Sequence, residues 1–280
     1  MTYATVLLHL DAHPGMNERI DYAARLARRF ESHLIGLAAA DRSLFELGVA
    51  TGFAGTDRLA GAVDGSRAAA LLRTGYFRER MATLPVSSCE SIVDDGDELD
   101  ALVRRSACSD LVVVGQIDSA WPDAPRARPL LEEIVLHGVA PTLVVPYTGD
   151  FRATPEHVLI AWDGSPGAAR ATVGALPLLQ RASRVHLIRC DTPVDLDRGD
   201  DPSELDLPRE WLGRHGVRVE TWLEPVEIDV GDALLSRASD LGADLLVMGA
   251  WGHPRWAERM LGGVTRTVLT SMTVPVLMAH

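Results

Sequence analysis

The residues whose types and spacing can do chemistry gather near the carboxyl end of the chain. Gly249 to Thr265 reads Gly-Ala-Trp-Gly-His-Pro-Arg-Trp-Ala-Glu-Arg-Met-Leu-Gly-Gly-Val-Thr. An apolar run, Asp244 to Met248, precedes it, and Val264 to Ser271 has helical character. A strand, a glycine-rich loop and a helix in that order aim unpaired backbone N–H groups at an anion, and glycine removes the Cβ atoms that would keep a phosphate away. Thr265 in the first helical turn adds a hydroxyl. Arg255, inside the loop, carries a fixed charge and a fork that matches phosphate oxygens, and is a better candidate than His253. The loop is neither a Walker sequence nor the dinucleotide fingerprint. Spacing alone therefore leaves open that the glycines only shape turns.

The elements that must position this loop occur twice. Thr5 to Asp11 matches His157 to Asp163, each an apolar run ending in Asp and followed by Pro-Gly, at Pro14-Gly15 and Pro166-Gly167. Asp110 to Gly115 matches Asp244 to Gly249, and Ala140 to Pro146 matches Val274 to Ala279. The last two pairs share an offset of 134 residues and the first an offset of 152, so the first half carries about 18 additional residues, in Ser43 to Gly75. Apolar strands alternating with helices predict an α/β fold: two Rossmann-like, doubly wound domains of five parallel strands, residues 1–150 and 155–280, with the boundary at Phe151 to Pro155. Ligands of such sheets lie beyond the carboxyl ends of the strands, where the winding reverses. Asp163 and Gly249 face one crevice if their strands are neighbours there. A carboxylate for an exocyclic amine and backbone donors for phosphates is what a nucleotide asks for.

Composition narrows the classes. A chain of 280 residues with 47% hydrophobic and 24% charged residues suits two soluble domains, and no apolar run is long enough for a bilayer. The start of the chain lacks a basic region ahead of its first strand, which reads as no signal peptide. A net charge of −12, with scattered Arg, argues against a nucleic-acid surface. Cys89, Cys108 and Cys190 lack ligand spacing and read as small buried hydrophobes in a reducing compartment, hence a cytoplasmic protein. His9, His157 and His186 have no partners at metal spacing. Ser165 lacks a nucleophile elbow and is predicted to cap a helix with Pro166 at its first position.

Gly249-x2-Gly252-x9-Gly262 resembles the G-2x-G-9x-G-(S/T) signature of the universal stress protein family, as do the flanking Asp-Leu-Leu-Val-Met-Gly and Val-Pro-Val-Leu and the opening Leu-Ile-Ala-Trp-Asp-Gly-Ser. The resemblance covers the chain as a tandem pair and implies strand order 3-2-1-4-5 in each repeat. It implies that Asp163, with Gly164, meets the adenine. Arg189, Met248, Gly249 and Gly252 then flank the nucleotide, and Gly262, Gly263, Val264 and Thr265 hold the phosphates. Gly263 stands where the family has Ser or Thr, so one hydroxyl is missing, worth about 0.5–1.5 kcal/mol. In the first repeat Asp118, Arg128 and Pro129 replace Gly252, Gly262 and Gly263, which removes the phosphate cradle although Asp11 and Gly115 survive. Its Gly/Ala-rich insertion is read as a mobile loop in preference to a cover over a different pocket.

The expectation is a stress-response sensor or switch binding ATP, alone or with Mg²⁺, or a related adenine nucleotide, in the second repeat. The alternatives are a nucleotide-independent interaction module and a slow ATPase. The acidic stretch from Asp191 to Asp206 reads as a solvated loop rather than a Mg²⁺ shell. The edge strands 140–146 and 274–278 are expected to pair with each other or with another chain, as an intramolecular domain pair or a homodimer.

Overall fold

Val6–Leu8, Val112–Val114, Leu143–Val145 and Leu245–Val247 are apolar at every position and fully buried, so they suit strands covered on both faces. The computed structural model describes residues 2–40, 56–151, 154–191, 202–250 and 263–280. In the first half β1 (Thr5–His9), β2 (His33–Ala39), β3 (Ser88–Asp94), β4 (Leu111–Gly115) and β5 (Thr142–Val145) alternate with α1 (Met16–Phe30), α2 (Thr56–Thr83), α3 (Glu98–Ser106) and α4 (Ala124–His137). In the second half β6 (His157–Ala161), β7 (Arg184–Asp191), β8 (Glu220–Pro225), β9 (Leu245–Gly249) and β10 (Val276–Ala279) alternate with α5 (Pro166–Leu179), α6 (Asp206–Arg214), α7 (Val230–Asp240) and α8 (Gly263–Ser271).

Each half has the expected order 3-2-1-4-5, with all pairs parallel. The two fifth strands pair antiparallel, Leu143 opposite Leu277 and Val144 opposite Val276, and fuse the halves into one ten-stranded sheet. The edge pairing expected from sequence is thus made within the chain.

Alternate strand residues feed two cores. Val6, Leu8, Val158 and Ile160 meet Ile20, Phe77, Ala175 and Leu212 on one face. Leu7 and Leu159 meet Leu102, Ile134, Leu234 and Val268 on the other. Both cores run across the seam. Gln116, buried just past β4, donates from Nε2 to the carbonyls of Leu269, Thr270 and Met272 at 3.2–3.3 Å, and the Tyr3 hydroxyl donates to Gly174 O at 2.7 Å.

The same local devices set both halves. Asp110 accepts from the N–H groups of Ala4 and Thr5, and Asp244 from those of Glu156 and His157. Asp97 and Asp229 cap α3 and α7. Ser165 caps α5 through Ala168 N, with Pro166 first in the helix, as predicted.

Three expectations are corrected. From Thr56 onward the insertion is helical, as part of α2, rather than a mobile loop; residues 41–55 lie outside the described residues. The helix that the sequence pattern predicts near 129–138 is α4, which begins earlier, at Ala124, and takes Pro129 inside it. Cys89 and Cys108 are exposed and Cys190 half-buried: Cys89 lies on the edge strand β3, and Cys108 follows the end of α3. Among the described residues no helix is long and apolar enough to cross a membrane, and no group of His, Cys, Asp and Glu could hold a metal ion.

Candidate functional site

Strand order reverses at β6, where Ala161 lies opposite Ile188 of β7 and Met248 of β9. Asp163, Arg189 and Gly249 therefore come to one carboxyl end, as the sequence requires of a crevice. Asp163 is exposed, and its Oδ1 accepts from Ser165 N at 2.9 Å. Between them Gly164 takes φ +74°, a conformation that favours glycine. The Met248 side chain is buried in the core, so only its backbone can meet a ligand. A Cβ on Gly249 would lie 2.5 Å from Ala168 N, so this glycine lets the first turn of α5 rest on β9 whatever else it does. Gly263 opens α8, exposed and with nothing among the described residues within 4 Å of a would-be Cβ; Val264 is half-buried and Thr265 buried. Arg189 is ion-paired with Glu204, so the acidic stretch does reach this end of the sheet. Gly252, Arg255 and Gly262, with His253, lie outside the described residues, as do residues 192–201 of the acidic stretch.

The first repeat fills the corresponding space with side chains. At the 152-residue offset His9 stands for Ala161, Asp11 for Asp163 and Arg19 for Ala171, and just after the matched caps Glu98 stands for Val230. Arg19 Nη2 donates to Asp11 Oδ1, and Arg19 Nη1 lies 1.8 Å from where a Cβ on Gly115 would be. His9 Nε2 is 2.9 Å from Glu98 Oε1. Burial pushes the Asp11 carboxyl up, but the charges of Arg19 and His9 with the hydrogen bonds of His13 N and Arg19 outweigh it and hold it below its ordinary value. Burial likewise opposes ionisation of Glu98 and is outweighed by the hydrogen bond and charge of His9 and the charge of Arg73. Asp118, in the place of Gly252, accepts from Ala120 N. Next to these pairs lies a cavity of about 160 Å³, walled by α4 and overhung by Ser66 and Arg73 of α2.

Residues 155–280 match the model of the Universal stress protein family. The second repeat is a universal stress protein domain. A universal stress protein of Synechocystis sp. is 27% identical over 203 residues, which span 69% of this chain and 65% of that relative, just under two thirds of its length. The crystal structure of a universal stress protein from Archaeoglobus fulgidus DSM 4304 superposes with a TM-score of 0.72 at 17% identity, over 98% of this chain and 94% of that one. A universal stress protein solved in complex with cAMP aligns with 53% of this chain and all of its own, at 17% identity and a TM-score of 0.38. The first half repeats that domain's strand order, so the chain is a tandem pair of one fold whose second copy is the universal stress protein domain.

Sequence reasoning located Asp163 and Gly249 at one strand end but missed the His9–Glu98 pair and the cavity beside it. The two residues are 89 positions apart. The available signal was His9 standing where the repeat has Ala161, a polar residue in an otherwise apolar strand end.

Proposed function

We propose that the second repeat binds ATP or a related adenine nucleotide beyond the ends of β6, β7 and β9, and that the protein acts in the cytoplasm as a stress-response sensor or switch. One observation carries this reading. The side chains that fill the first repeat's strand end, His9, Arg19 and Glu98, are replaced in the second by Ala161, Ala171 and Val230, beside an exposed Asp163. The residues present fit the group: Asp163 offers a carboxylate to an amine, and the exposed Gly263 opens α8 with its backbone N–H toward an anion. Arg255, Gly252 and Gly262 complete the phosphate side, with Mg²⁺ as the accompanying ion. Nucleotide occupancy then shifts the balance between packing states of the protein.

Calorimetric titration with ATP and Mg²⁺, alongside emission from Trp162 and its neighbours, should saturate, and Gly252→Val should remove the signal with far-UV circular dichroism unchanged. A flat titration overturns nucleotide binding. It would favour a nucleotide-independent interaction module, a second reading supported by the missing hydroxyl at Gly263 and by the pairing of Arg189 with Glu204. Phosphate release lost in the same variant would add slow hydrolysis to the first reading.

A further inference from the structure

The first repeat has no phosphate cradle, yet it keeps a half-open space at the same strand end, between the ends of β1 and β4, helix α4 and the α2 overhang. Its wall is of two kinds. Leu102, Leu131 and Ile134 present an apolar side, while His9, Asp11, Arg73 and Glu98 present a polar one. Such a combination, apolar walls with a few convergent polar groups, is what a small-molecule site requires.

Two of the polar groups have unused hydrogen-bonding capacity. Asp11 Oδ1 takes both Arg19 Nη2 and His13 N, and among the described residues Oδ2 has no hydrogen-bond partner. Arg73, half-buried on the cavity wall, donates from Nη2 to Ala39 O at 3.0 Å, and its guanidinium fork carries further N–H groups. The charges around the space are matched: Asp11 faces Arg19, Glu98 is flanked by His9 and Arg73, and at the mouth Asp123 lies near Arg126 in sequence and lines the same wall. An ion entering would unbalance this set in a poorly screened interior.

We propose that this cavity is a binding site for a small uncharged molecule with a flat apolar body and an amide-like head, whose N–H donates to Asp11 Oδ2 and whose carbonyl accepts from the Arg73 guanidinium. The body lies against the α4 face formed by Leu131 and Ile134. The site is separate from the nucleotide crevice of the second repeat and does not depend on it.

Three isosteres of different charge test this: benzamide, benzoate and benzamidinium. Each is titrated into the full-length ¹⁵N-labelled protein while the amides of Gly115 and Leu131 are followed by NMR. Benzamide should saturate with a dissociation constant on the order of 1 mM, in keeping with a ligand of so few atoms, and at least about tenfold below either ion. Arg73→Met, which keeps the stem and loses the donor, should weaken it about tenfold or more. Ala127→Phe, projecting a ring into the space, should abolish the shifts; melting temperatures report that both variants fold. Equal or tighter binding of benzoate or benzamidinium overturns the proposal, as does the absence of saturable shifts with benzamide at about ten times that constant. Binding that persists unchanged in both variants overturns it too.

Discussion

Beyond the end of β1 a half-buried Asp11 is bound by Arg19, and His9 by Glu98; beyond the end of β6 Asp163 is exposed, and the places of Arg19, His9 and Glu98 are taken by Ala171, Ala161 and Val230. The backbones around these ends are set by the same residues in both halves. Asp110 and Asp244 tie down the first strand of each repeat, Asp97 and Asp229 cap the helix before the fourth strand, and Pro-Gly follows the first strand. Duplication has preserved what holds the chain in place and changed what projects into the crevice. One copy carries paired charges there, and the other has small or apolar side chains at the corresponding positions.

The largest test of that contrast is Arg19→Ala. It leaves the Asp11 carboxylate without its guanidinium in a site where both side chains are mostly buried, and should cost about 3–5 kcal/mol by urea unfolding. Adding Asp11→Ala should recover most of the loss. A cost under about 1 kcal/mol would mean that the pair is a surface-type contact, and the contrast with Ala171 would lose its meaning. Gly249→Ala comes next. Its new Cβ meets the backbone of Ala168 and Gly167, which cannot swing aside as a side-chain tip can, so a loss of about 1–3 kcal/mol is expected together with weakened ATP binding.

Acid separates the copies further. Glu98 is held below its ordinary 4.5 and Asp11 below 3.8, so each favours the folded state fully above those values. That contribution disappears as pH falls below them and through the lower folded values. Glu98→Gln should flatten the fall of the urea midpoint between about pH 5 and pH 3, and an unchanged slope would remove Glu98 from the account. The smallest effect concerns the open copy: Gly263→Ser has free space and supplies a hydroxyl, and should tighten ATP about two- to tenfold in calorimetry.

The strands and the places of Asp163 and Gly249 at their ends were legible because buried parallel strands are written as uninterrupted apolar runs, and because the copies could be laid over one another; the strand order came with the family resemblance. Helix α2 was legible only in its second part, near 67–83. Its first turns, with Gly61 and Gly65, read as loop, whereas the helix is continuous from Thr56 and anchored by tertiary packing: Phe77 is fully buried, and its ring lies 3.0 Å from where a Cβ on Gly36 would be. Nothing local announces that contact between a strand glycine and a ring 41 positions later. The His9–Glu98 pair was hidden for the same reason, since only the crossover from β3 through α3 brings the start of that helix over the end of β1. The exposure of Cys89 follows from its place on an outermost strand, which composition does not encode.

Because β5 and β10 run in opposite directions, every strand of the first half ends at one rim of the sheet and every strand of the second half at the other. The two compartments therefore open away from each other and share no wall. What joins them is a short mechanical link. Gln116 sits between Gly115 and Ile117 of the first compartment's lining and grips the final carbonyls of α8, and about 13 Å along that helix its other end opens at Gly263. Any message passing from one rim to the other has a rod nine residues long to travel along, with an amide clasp at its far end.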